Sequence, residues 1–384
     1  MKSAIKAAAV ITGVAAWGLI SAARNFLRPR EEPARADFFG VSIRKWLLMA
    51  AAIFTVLAVG GLLTVISGIM PIKASSGHWA ITEWFLNFSM ERSVKTHAAG
   101  IDAPPLNDAR LAVIGAGHYD SGCRPCHGSP ELTPPRIAQA MTPKPPYLPD
   151  VLGLWQPNDL FYIVKHGVKF TGMPAWPSQQ RDDEVWAMVA FLLRLRDVGA
   201  QEYRQLVSEE AQVCARCHGT DGLGRGAFPK LAGQKEAYLQ AALRAYARGD
   251  RHSGIMQPVA AGLDEAEIRE LASHYGGLPA PAPAQASADP LSRGQSAAQS
   301  GIPAQHVPAC AQCHGPGGGP RNPHYPILAG QYAHYLVAQL ELFKKGQRGG
   351  SPYAHLMQEV APRLTPQQIR EVALYYASLP PGTQ

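Results

Sequence analysis

The sequence predicts an all-α protein: one or two apolar helices at the N-terminus that enter a membrane, followed by three small helical domains. Three observations predict it. Residues 46–70 form an apolar run without a charge, the pattern Cys-x-x-Cys-His occurs three times, and each copy is followed at a similar distance by a methionine and then by an amphipathic stretch of helical period. The 384 residues allow two to four domains at about 150 each, and a hydrophobic share of 46% against 17% charged excludes a wholly disordered chain.

The run WLLMAAAIFTVLAVGGLLTVISGIM exceeds the roughly 20 apolar residues needed to cross a bilayer, and it has no polar face of the kind a soluble core helix keeps. An earlier stretch, 7–23, is shorter and richer in Ala and Gly. It is a candidate second span, an interfacial helix or a signal-peptide core, and the lack of an Ala-x-Ala cleavage site before a mature domain favours a retained helix. Between the two lie Arg24, Arg28, Arg30, Arg35, Arg44 and Lys45 against Glu31, Glu32 and Asp37. Positive charge stays cytoplasmic, so everything after residue 71 is expected on the far side of the membrane. Residues 78–90, HWAITEWFLNFSM, gather Trp79, Trp84, Phe85 and Phe88, as an interfacial segment or a contact with a partner subunit does.

The net charge of +7 does not signal nucleic acid. Residues 1–100 hold 11 Lys/Arg and 5 Asp/Glu, whereas the other 284 hold 25 and 24, with no basic stripe for phosphate.

The three motifs are Cys123-Arg-Pro-Cys126-His127, Cys214-Ala-Arg-Cys217-His218 and Cys310-Ala-Gln-Cys313-His314, and they use all six cysteines. In this pattern two thiols add across the vinyl groups of a haem and the histidine becomes an axial iron ligand. Zinc sites and redox dithiols also use Cys-x-x-Cys, but three copies, each with the histidine and no spare cysteine, point to three covalently attached c-type haems.

Methionine is the natural second axial ligand, because a thioether favours reduced iron and raises the potential. Met173 lies 46 residues after His127, Met256 lies 38 after His218, and Met357 lies 43 after His314. Met141, before a proline-rich loop, rivals Met173, whereas Met188 sits in the amphipathic run EVWAMVAFLLRL and reads as core. His166, His252 and His355 are lesser rivals, since a histidine near haem more often meets a propionate or solvent.

The second and third copies are repeats. Phe228-Pro-Lys-Leu-Ala-Gly233 matches Tyr325-Pro-Ile-Leu-Ala-Gly330 at an offset of 97, Tyr238 matches Tyr335, and Leu263 to Ile268 matches Leu364 to Ile369 with Asp264 and Thr365 as helix N-caps. The first copy lacks Leu-Ala-Gly and carries TPPRIAQAMTPKPPYLP instead. The expected organisation is a membrane anchor at 1–100, haem domains at 101–200, 201–280 and 291–384, and a Pro/Ala linker at 281–290.

These residues resemble the class I c-type cytochromes. Residues 205–380 are similar to the tandem diheme cytochromes of bacterial respiratory chains, and 108–198 to a single-haem member. The resemblance implies periplasmic haem attachment, His/Met iron and one-electron transfer. It also implies that the helix bearing each motif packs on the helix closing its domain, with Gly115, Tyr119, Tyr275 and Tyr375 the kind of residues such contacts use. Two propionates per haem add about six negative charges to a periplasmic part of net +1, so basic redox partners are expected. No phosphate loop, nucleophile elbow or dinucleotide fingerprint accompanies the motifs, so the chain reads as an electron carrier and not as an enzyme in itself. A haem peroxidase would need one iron with an open position. Within the carrier class the expected role is a subunit of, or donor to, a terminal oxidase or respiratory supercomplex, with the electron-accepting subunit of a periplasmic dehydrogenase as runner-up. Soluble cytochromes and quinol-oxidising complexes are the other redox partners in view.

Overall fold

A computed structural model describes residues 43–69, 72–208, 213–280, 288–316 and 321–380; the stretch at 7–23 and most of the linker at 281–290 lie outside the described residues. Among those residues the fold is all-helical, with two isolated β-bridges, Ser129 to Leu132 and Ile302 to Val307. Helices of seven residues or more are numbered below.

Helix α1 (Ile43–Ser67) has a mean hydropathy of 2.4 over its most apolar 18 residues and is long enough to cross a membrane. Arg44 and Lys45, ahead of the uncharged run, are already helical, and the helix stops before Gly68, whose φ of 66° is left-handed. Its hydroxyls are satisfied within the helix: Thr55 Oγ1 donates to the Ala51 carbonyl and Thr64 Oγ1 to that of Gly60, both at 2.8 Å.

In the second compact unit, which begins at Lys73, α2 (Ala80–Ala98) covers the aromatic segment. Its first half leaves Trp84 and Phe85 more than half exposed. Its last turn docks on α4 (Pro157–His166): Val94 and Ala98 are buried, Asn158 Nδ2 donates to the Ala98 carbonyl at 2.9 Å, and Lys95 pairs with Asp159.

The first bundle is α3 (Ala109–His118), α4, α5 (Asp182–Leu195) and α6 (Ala200–Leu206) around Tyr119, Met188, Phe191 and Leu195. Asp108 caps α3 by accepting from Arg110 N at 2.9 Å. The backbone of α3 presses on that of α5 at Gly115, where a Cβ would fall on the Ala187 carbonyl, and beyond Tyr119 a wide π-type turn leads into the first motif. Helix α6 also packs here: Tyr203 lies against Tyr119 and Phe191, and its hydroxyl donates to Asp120 at 3.0 Å.

The second and third bundles follow one plan, α7 (Glu236–Ala247) with α8 (Glu265–Gly277), and α9 (Ala288–Ser300) with α10 (Ala333–Lys344), α11 (Ala354–Val360) and α12 (Pro366–Ser378). Asp264 and Thr365 form capping boxes with Glu267 and Gln368, as the sequence predicts. The sequence repeat becomes a local two-fold contact. Gln234 accepts from Ile327 N at 2.8 Å and donates to the Ile327 carbonyl at 3.0 Å; its counterpart Gln331 accepts from Lys230 N at 3.1 Å and donates to the Lys230 carbonyl at 2.9 Å. Arg251 reaches Tyr335 at 3.3 Å and Arg348 reaches Tyr238 at 3.1 Å in the same reciprocal sense. Residues 97 apart thus exchange roles, as in an isologous dimer.

Candidate functional site

Each motif ends on a four-residue helix, Arg124–His127, Ala215–His218 or Ala311–His314, and stops at a glycine with positive φ, so the same local geometry presents the histidine three times. Each imidazole is then held by a prolyl carbonyl. His127 Nδ1 donates to Pro146 at 2.9 Å, His218 Nδ1 to Pro229 at 3.0 Å, and His314 Nδ1 to Pro326 at 3.0 Å. The bond fixes the tautomer and leaves Nε2 as the free lone pair, as a metal-ligating histidine requires. Burial lowers the pKa of all three, against a smaller opposing contribution from the prolyl bond, and keeps them neutral.

The six thiols form no disulfide. Burial pushes Cys123 up to about 12 and Cys217 and Cys310 up to about 11, opposite to the lowered values of reactive dithiols and zinc thiolates. Among the described residues no three His, Cys, Asp or Glu side chains converge as a zinc site would need.

A cavity of about 1000 Å³ runs through the second and third bundles and reaches first-bundle residues such as Gly117, His118 and Glu184. Its lining holds Cys214, Cys217, His218 and Met256 of the second motif and Cys310, Cys313, His314 and Met357 of the third. Its wall also holds the buried guanidinium groups of Arg251 and Arg348, which stack on Tyr246 and Phe343 at 4.5 Å each and pair with no carboxylate among the described residues. An apolar slot with thiols at its edge, an oriented imidazole, a thioether and unneutralised guanidinium groups fits a haem with two propionates.

In the first bundle Met173 sits in a loop, its N–H donating to Thr171 Oγ1 at 3.1 Å and its carbonyl accepting from Val168 N at 3.2 Å. Met141 is its neighbour, with its methyl over Gly172. Met188 is core, 1% exposed, and His166 and His355 are exposed. Sequence reasoning gave no role to the prolyl carbonyls, to Arg251 and Arg348, or to Glu184 and His118. Burial lowers His118 to about 4, and its ring leans on Trp176 with centroids 4.6 Å apart.

Two tyrosines brace the motifs from behind. Tyr119 Oη donates to the Gly128 carbonyl at 2.7 Å and Tyr376 Oη to that of Gly315 at 2.6 Å, both buried. Tyr376 is therefore the counterpart of Tyr119, while Tyr375 packs against Gly294 of α9, at the contact between that helix and the closing helix α12. Replacing Tyr119 with Phe strands a buried carbonyl and is expected to cost about 1–2 kcal/mol, read as a lowered melting temperature with the haem count unchanged.

Residues 111–192 match the family described as cytochrome c oxidase, cbb3-type, subunit III, and residues 205–275 and 292–380 match cytochrome c. The chain is 39% identical over 178 residues to the thiosulfate dehydrogenase electron acceptor of Thiomonas intermedia, covering 44% of this chain and 80% of that protein. It is 36% identical to the protein of that description from Stutzerimonas stutzeri, over 44% and 80% of the two chains. Cytochrome c4 of Pseudomonas aeruginosa is 32% identical over 44% of this chain and 85% of its own. Oriented imidazoles beside paired thiols on a helical frame, and relatives of this kind, make the chain an electron-transfer protein with c-type haem that belongs to the class I c-type cytochromes, with a C-terminal part similar to cytochromes c4.

Proposed function

We propose that the protein is a membrane-anchored triheme cytochrome that relays single electrons on the periplasmic side of a bacterial inner membrane. The observation that carries this reading is the threefold recurrence of a histidine whose Nδ1 is tied to a prolyl carbonyl beside two free thiols. The thiols Cys123 and Cys126, Cys214 and Cys217, and Cys310 and Cys313 would hold the porphyrins, and the axial pairs would be His127 with Met173, His218 with Met256, and His314 with Met357. The haem supplies a one-electron iron couple. The residues set it: burial keeps each imidazole neutral, the prolyl bonds aim it, the thioethers favour the reduced state, and the apolar walls exclude water. Helix α1 supplies the anchor and the exposed aromatics of α2 suit the interfacial region.

For the partner, we infer a terminal oxidase or respiratory supercomplex that takes electrons from this chain; the match of residues 111–192 to an oxidase subunit supports it. A second reading has equal support: two relatives are thiosulfate dehydrogenase electron acceptors, and by that likeness the C-terminal haems read as the acceptor of a periplasmic dehydrogenase. Mass spectrometry of the mature chain should show an excess of three haems; fewer would overturn the triheme reading. Purification in mild detergent should bring down an oxidase in the first case and a dehydrogenase in the second, and reduction of the purified cytochrome by thiosulfate with its dehydrogenase would decide for the latter.

A further inference from the structure

The repeat between the second and third bundles breaks at one place. Up to Arg251 and Arg348 the offset is 97, and from Met256 and Met357 onward it is 101, so the third bundle carries four extra residues just before its methionine. That longer loop is bonded within itself, Ala354 N to the Ser351 carbonyl at 3.1 Å and Gln358 Nε2 to the Arg348 carbonyl at 3.0 Å, and its Gly350 packs on Asp250 of the second bundle. The shorter loop of the second bundle, Ser253 to Met256, is held by a residue of the first bundle.

That residue is Glu184, in the first turn of α5 and 7% exposed. One carboxylate oxygen accepts from Ser253 Oγ at 2.6 Å and from Arg181 Nη1 at 3.0 Å. The other accepts from Gly254 N at 2.5 Å and from Trp176 Nε1 at 3.4 Å. Arg181 Nη1 also donates to the His252 carbonyl at 2.8 Å, and Gly254 is obligatory because a Cβ there would enter the Trp176 indole. Ser253 in turn caps the methionine. Its Oγ accepts from Met256 N at 2.9 Å and from Ile255 N at 3.2 Å, so its own proton must go to Glu184. A continuous chain of hydrogen bonds therefore runs from α5 to the backbone of Met256.

We propose that Glu184 is a positioning residue for the second haem: the first bundle, through Glu184 and Ser253, sets how firmly Met256 is held to the iron. The proposal rests on the reading of Met256 as an axial ligand. It assigns the first bundle a role in the second centre besides carrying its own, and it makes the Met256 bond dependent on a carboxylate from a neighbouring bundle, for which the Met357 loop shows no counterpart among the described residues.

The test uses the oxidised full-length protein titrated with imidazole, which competes with methionine for ferric iron, and follows the weak methionine-to-iron absorption band. In Glu184→Ala and Ser253→Ala, about one third of the band should vanish at an imidazole concentration about tenfold or more below that needed in the unaltered protein, the loss of one buried cap. Ser253→Ala changes no charge and leaves Glu184 paired with Arg181, so it reports even if Glu184→Ala fails to fold; its second potential should also fall while the other two hold. Met256→Ala should remove the same third outright, and the double variant Glu184→Ala with Met256→Ala should show no easily displaced band. Wild-type titration in both single variants, or an easily displaced third surviving in the double variant, would overturn the proposal. An intact band in Met256→Ala would instead overturn the ligand reading on which it stands.

Discussion

Alanine in place of Met357 is expected to lower one of three reduction potentials by more than about 59 mV, a factor of ten for a one-electron couple, and to leave the other two where they were. The thioether stabilises the reduced iron; His355 beside it is exposed, Tyr353 offers only a phenol, and His324, which lines the same cavity, would as an imidazole ligand also leave the potential lowered. The helix itself survives the change. Met357 lies in the middle of α11, where alanine is the best helix former, and its partly buried side chain contributes to the small cluster of Phe343, Ala354 and Ala361. A redox titration followed in the visible spectrum separates the loss of a ligand from the loss of a fold, since a melted bundle would also lose the far-ultraviolet helical signal. A uniform drop in all three potentials would show that the haems are not independent centres.

What could be read from the sequence follows from where the information lies. The motifs, the methionines and the apolar run are side-chain patterns at fixed local spacing, and so are the caps Asp264 and Thr365, which stand in the structure where the sequence puts them. The 97-residue offset was visible, but not its consequence that Gln234 and Gln331 bond each other's repeat, because a two-fold contact is a property of docking and not of either copy. The prolyl partners of the three histidines were illegible for a different reason: the acceptor is a backbone carbonyl, which every residue has, so only the fold selects Pro146, Pro229 and Pro326. Glu184 was hidden by distance, since its partners lie about 70 residues on and an acidic residue in the first turn of a helix reads as an ordinary dipole partner. Helix α6 likewise looks like the opening of the second domain until Tyr203 is seen against Tyr119.

Valine at Gly115 is expected to destabilise the first bundle by about 3 kcal/mol, at the upper end of the cost of overpacking, because the obstacle is backbone and not a movable side chain. A Cβ at this position meets the Ala187 carbonyl and the Phe191 Cβ, so α3 and α5 must separate along their closest line. Gly294 is in the same position in the third bundle, where a Cβ would meet the Glu371 carbonyl, and Gly294→Val should cost a similar amount there. Gly277→Ala is the control: no atom lies within 4 Å of its Cβ position and its φ is not left-handed, so the change should be neutral or stabilise by up to about 1 kcal/mol. A haem bonded to both cysteines would stay attached in every case, so haem content would not report the damage, and thermal melting of the helical signal must. The functional consequence follows from connectivity. Helix α3 runs without a break into the turn that carries Cys123, Cys126 and His127, so a bundle forced apart at Gly115 also draws His127 away from Pro146, and the first centre should lose its fixed imidazole before the second and third are disturbed.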